Sequence, residues 1–149
     1  FQDPVEMAAT GTITVAAATD TLLGSLTGVF FTDANTSKPT FANHLDASNA
    51  ATDIKGFVAD DPYERFEVQA DGATAAADVG LNADIVYAAG SSPDYVSKVE
   101  LQTSDQKTGT AQLRILGISK DPDNNTAGSA NVNLVVMINE HFLKGTTGI

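Results

Sequence analysis

Arg65-Phe66-Glu67-Val68-Gln69-Ala70 alternates charged or amide side chains with apolar ones, a period of two that fits an extended strand with one wet face and one dry face. Phe66 and Val68 are therefore expected inside. Two later runs, Gln112-Leu113-Arg114-Ile115-Leu116-Gly117-Ile118 and Val132-Asn133-Leu134-Val135-Val136-Met137-Ile138, are nearly unbroken in β-branched or large apolar residues. They read as central strands, with Leu113, Ile115, Val135 and Met137 in the core.

Upstream, Val5 and Met7 flank Glu6, Thr10-Gly11 turns the chain, and Thr12-Ile13-Thr14-Val15 alternates again, which reads as a hairpin. Leu26-Thr27-Gly28-Val29-Phe30-Phe31-Thr32 is a third strand, closed by the turn formers Asp33, Asn35, Ser37 and Pro39. Gly56-Phe57-Val58-Ala59, Ala83-Asp84-Ile85-Val86-Tyr87-Ala88 and Val99-Glu100-Leu101 complete about eight short strands. Only residues 73–78 favour a helix, which Gly80 limits to a turn or two, and Asp121-Pro122-Asp123-Asn124-Asn125 is a loop tip. The pattern predicts an all-β fold: one β-rich domain over 1–149, a β-sandwich or partly closed β-barrel with one short helix, an extended N-terminal segment 1–5 and a long loop 35–55.

Eight Lys and Arg face 19 Asp and Glu, a net charge of −11 over 149 residues, a length that suits one domain with a real core. Such an acidic chain repels phosphate backbones, and its scattered cations form no basic stripe, so nucleic acid is not an expected partner. With no Cys there is no disulfide framework and no thiolate site. No apolar run approaches the roughly 20 residues of a membrane helix and no signal segment opens the chain, so no membrane partner is expected.

Motifs of chemistry are sparse. His44 and His141 lie far apart without the i, i+4 spacing of a zinc pair, and read as a loop residue and a strand-end residue. Asp121-x-Asp123-x-Asn125 begins like a calcium loop, but Thr126 stands where Gly is needed and Val132 where a closing Glu is needed. Asp33-x-Asn35-x-Ser37 fails likewise at Lys38 and His44. Asp60-Asp61 precedes Pro62 and reads as a solvated turn instead of an acid/base pair. No G-x-S-x-G elbow and no phosphate loop is present, so no catalytic residue, metal or cofactor is expected.

Gly28-Val29-Phe30-Phe31-Thr32-Asp33, Lys38-Pro39-Thr40-Phe41, Ala59-Asp60-Asp61-Pro62 and Phe66-Glu67-Val68-Gln69-Ala70-Asp71-Gly72 together resemble the auxiliary head proteins of tailed bacteriophages. In the same order and spacing follow Val79-Gly80-Leu81-Asn82-Ala83-Asp84, Ala88-Ala89-Gly90-Ser91, Leu113-Arg114-Ile115-Leu116-Gly117, Pro122-Asp123-Asn124, Val136-Met137-Ile138-Asn139-Glu140-His141 and Gly145-Thr146-Thr147-Gly148-Ile149. The resemblance implies a non-enzymatic capsid decoration, or cement, protein on the outer face of the virion, assembled in the bacterial cytoplasm. Its partners would be the major capsid protein and further copies of itself, as a trimer or another symmetry-matched group. Such proteins usually carry an N-terminal segment before the first strand, whereas this sequence starts almost directly at Val5, so an anchoring arm is expected to be either missing or disordered. A different class, a carbohydrate- or cation-binding β-sandwich on a virion or cell surface, would be marked by an aromatic-lined groove or an occupied Asp121/Asp123 site. A small hydrolase would need a cleft joining His44 or His141 to a Ser or a carboxylate.

Capsid or inter-subunit contacts are expected from the segments a β-domain does not need for itself. These are Phe1, Pro4 and Val5 at the entry, Phe31 on the outward side of the Phe30-Phe31 pair, and Pro39, Phe41 and Leu45 as apolar anchors of the 35–55 excursion.

Overall fold

The computed structural model describes residues 1–145, so 146–149, the end of the last phage-like motif, lie outside the described residues. The fold is all-β, as expected, in two sheets. The larger contains β6 (Arg65–Ala70), β7 (Asn82–Ala83), β8 (Ile85–Val86), β9 (Glu100–Leu101), β10 (Leu113–Ile118) and β11 (Asn133–Ile138), in the order β7-β10-β11-β6-β9-β8. The smaller contains β1 (Pro4–Met7), β2 (Ile13–Val15), β3 (Leu22–Thr32), β4 (Pro39–Ala42) and β5 (Lys55–Ala59).

β7 and β8 form the two edges of the larger sheet, yet only Asp84 separates them in sequence, so the sheet curls into a nearly closed barrel. The expected single strand over 83–88 is thus two short ones. The reason is Asp84, whose polar groups serve the closure: Oδ1 accepts from Gln112 N at 3.1 Å, the carbonyl accepts from Gln102 N at 2.9 Å, and Oδ2 accepts from Lys107 Nζ at 3.0 Å. Lys107 also reaches Asp105 at 2.6 Å, and this pairing pushes the Lys107 ammonium above its ordinary pKa and holds Asp105 below its own.

Leu113, Ile115, Leu134, Val136 and Ile138 fill the barrel with Leu22, Ala70, Ile85, Leu101 and Val132. Leu113 and Ile115 are where the sequence puts them, but Val135 and Met137 are not: they are half-buried on the outer face, opposite Glu67 and Arg65. From 134 to 138 the strand is apolar at every position and carries no phase of its own; pairing fixes it, here Val136 with Phe66 and Leu134 with Val68. Phe66 and Val68 do turn inward, but they are only half-buried, because they border an open cleft of about 760 Å³ between the barrel and the smaller sheet. The helix expected over 73–78 is reduced to one 3-10 turn, Ala76–Asp78, with Asp78 Oδ2 accepting from Ala75 N at 2.7 Å.

β3 organises the smaller sheet. Ser25 pairs with both Pro4 and Ala59, and Val29 with both Ala42 and Gly56, so β5 runs along one edge of β3 while β1 and β4 share the other. The β1–β2 hairpin forms as expected and folds back so that Ile13 lies over Gly56, where any side chain would overlap it. The 35–55 stretch is not a plain loop, because Pro39–Ala42 is a strand on the edge of β3. Pro39 at its first position fits an edge strand and hides it from a pattern search. The 1–5 segment is likewise not free: Gln2 N donates to Leu26 O at 2.7 Å, Leu26 N to Asp3 O at 2.9 Å, and Pro4 and Val5 belong to β1.

Candidate docking surface

Cross-strand partners share a face, so the register of β3 sorts the aromatic residues of the smaller sheet. Gly28 pairs with Phe57, Phe30 with Phe41 and Lys55, and Thr32 with Pro39, which puts Phe30, Phe41, Phe57, Pro39 and Lys55 on one face. Val29 and Phe31, on the other face, are buried. The first face is open: Phe41 is 66% and Phe57 47% exposed, with ring centroids 5.5 Å apart and planes tilted by 42°. The Phe41 ring lies on the backbone of Gly28, where a Cβ would stand 2.8 Å from its Cζ. Glycine at this position lets the ring settle flat beside Phe57 and form a two-ring platform.

The loops around the platform are tied to its frame. Asp33 Oδ1 accepts from Asn35 N at 3.0 Å, Thr36 N at 2.7 Å and Thr36 Oγ1 at 2.9 Å, shaping the β3–β4 turn. Asp53 accepts from Thr32 N at 2.9 Å and Thr32 Oγ1 at 2.6 Å, which pins the chain before β5 to the end of β3. Hydrogen bonds from Thr36 and Thr32 hold both carboxylates below their ordinary pKa. Beyond β4, the His44 ring stacks on Tyr95 with centroids 3.9 Å apart, and Asn43 Nδ2 donates to Asp94 O at 3.1 Å. Leu45 and Ile54 stay exposed on these anchored stretches.

The structure divides the expected contact residues. Phe41, Pro39 and Leu45 are exposed, with Phe41 and Pro39 on the platform face and Leu45 on the following loop. Val5 and Phe31 are only 2% and 6% exposed, so they belong to the interior and leave the docking set. In the Phe30-Phe31 pair it is Phe30 that turns outward, the reverse of the expectation. Phe1 and Pro4 are half-buried, and the Phe1 carbonyl accepts from Ser97 N at 2.8 Å, so the entry of the chain rests on its own loops. Sequence reading missed Phe57, Phe30 and Ile54. The usable signal was Gly28, a lone glycine inside a strand, which marks close approach of another group.

The candidate chemical groups are dispersed. His44 is in the Tyr95 stack and His141 is buried between the sheets. Asp61 Oδ1 accepts from Tyr63 N at 2.8 Å, and Asp121 Oδ1 from Asp123 N at 3.1 Å, as turn-forming carboxylates do. Among the described residues no three His, Asp or Glu side chains are grouped to hold a metal ion. No protein-family model, curated protein or solved structure matches the chain.

Proposed function

We propose that this chain is a virion-surface protein that binds the outer face of a tailed-phage head and stabilises the major capsid protein lattice, docking through the Phe41–Phe57 platform. One observation carries the reading: two phenylalanine rings are held open to solvent on a sheet whose loops are pinned by Asp33, Asp53 and the His44–Tyr95 stack. A monomer gains nothing from ordering exposed rings in this way, whereas a partner gains anchors already fixed in place, each contributing about 2 kcal/mol as an interface hot spot. The order of phage-like motifs along the chain and the net charge of −11, which discourages aggregation between particles, support the same reading. Self-association on the lattice, as a trimer or another symmetry-matched group, belongs to this proposal.

Cosedimentation with heads of the phage that encodes the chain tests it. Wild type should pellet with heads and raise their resistance to heat, while Phe41→Ser and Phe57→Ser should stay in the supernatant with unchanged melting temperatures. Equal pelleting of all three would refute docking through the platform. Because the same rings would also stack on a saccharide, glycan binding lost in both variants, without head binding by wild type, would favour the carbohydrate-binding reading instead.

A further inference from the structure

The joint between the two sheets is built around a histidine. Leu22 N donates to Glu140 O at 3.0 Å and Leu22 bridges His141, so the start of β3 runs beside the chain leaving β11. The His141 ring sits inside this joint, 2% exposed. Its Nδ1 accepts from Leu143 N at 3.0 Å, capping the 3-10 turn Phe142–Lys144, and its Nε2 is buried without a hydrogen-bond partner. A ring nitrogen that accepts an N–H must hold a free lone pair, so the imidazole is neutral with its proton on Nε2.

We propose that His141 is a proton-operated latch: protonation of the buried ring opens the Phe142–Lys144 turn and frees the chain after β11 from β3 while the barrel stays folded. The chemistry of Nδ1 dictates the direction. Once protonated, Nδ1–H and Leu143 N–H are two donors facing each other, and the ring places a charge at a position only 2% exposed. The charges of Asp60 and Asp61 on the β5–β6 turn, together with the Asp60 backbone, favour the cation, whereas Lys144 on the histidine's own turn opposes it. Burial, followed by Lys144, outweighs the two aspartates and holds the folded-state pKa below 6.5. The closed form therefore binds the proton more weakly than the opened one. Its advantage is complete above the ordinary pKa and falls about tenfold per pH unit below it, down to the folded value. Opening also withdraws Lys144 Nζ from the Tyr63 ring, 4.6 Å from its centroid, and so uncovers the β5–β6 turn.

Amide exchange followed by NMR between pH 7 and pH 5 tests the latch, with Ile115 and Val136 as internal references. The protection factors of Leu22, Leu143 and Lys144 should fall together as the pH drops while the reference amides hold theirs. His141→Asn keeps a side-chain oxygen for Leu143 N and cannot become charged, so its protection should not change over this range. Protection at Leu143 that persists to pH 5 in wild type, or an equal loss in His141→Asn, would overturn the proposal. If the variant does not protect the reference amides at pH 7, the wild-type titration alone decides.

Discussion

Asp84 and Gln112 clasp each other at the seam of the barrel. Asp84 Oδ1 accepts from Gln112 N at 3.1 Å, and Gln112 Oε1 accepts from Ile85 N, the next residue along, also at 3.1 Å. Gln112 Nε2 donates in addition to the carbonyls of Ala17 and Asp20, both at 2.8 Å, which ties the β2–β3 connection to the same point. The Gln112 side chain is fully buried, so Gln112→Ala leaves the buried Ile85 N without a partner and removes the hydrogen bond to the Asp20 carbonyl, while Ala17 O keeps the one from Asp20 N at 3.4 Å. The expected cost is about 2–5 kcal/mol, read as a lower urea midpoint with an unchanged m-value.

Within β11 the two faces should respond differently. Val136→Ala removes methyl groups from the barrel interior and should cost about 1–3 kcal/mol, whereas Val135→Ala, on the outer face opposite Glu67, should cost under about 1 kcal/mol. Equal costs in chemical denaturation would mean that the strand phase is wrong.

Gly28 should matter to the platform more than to the fold. A valine there would press on the Phe41 ring, so Gly28→Val should turn Phe41 away from Phe57 and weaken head binding at least as much as Phe41→Ser. The melting temperature of Phe41→Ser should stay within a few degrees of wild type, since the ring is mostly exposed.

Acid should loosen the frame around the platform. Thr36 and Thr32 hold the Asp33 and Asp53 carboxylates below their ordinary pKa of 3.8, so their contribution is fully present above that value and is lost as pH falls through the folded one. Urea midpoints measured at pH 5 and pH 3 should drop less in Asp33→Asn and Asp53→Asn than in wild type. An equal drop would show that these turns do not contribute to the acid response.

Much of the fold was legible because it rests on local patterns. The alternation of 65–70, the apolar runs at 113–118 and 133–138 and the turn formers between them place the strands where they are found. What stayed hidden depends on pairing between distant segments. The phase of β11 comes from β6, and the seam depends on Asp84 and Gln112, 28 residues apart, two polar residues inside strand-like runs. The platform joins β4 to β5 across β3, so its two rings meet only through the pairing of three strands. His141 similarly gains its role from Leu22 and the β5–β6 turn, neither of them near it in sequence.

Hydroxyl-radical footprinting of the protein free and bound to heads tests the central claim most directly, with oxidation read residue by residue. Docking through the platform predicts several-fold protection of Phe41 and Phe57 on the particle, with Tyr63, which is 75% exposed and off the platform, reacting as it does in the free protein. Head-bound protein whose Phe41 and Phe57 oxidise as fast as in the free chain would contradict it.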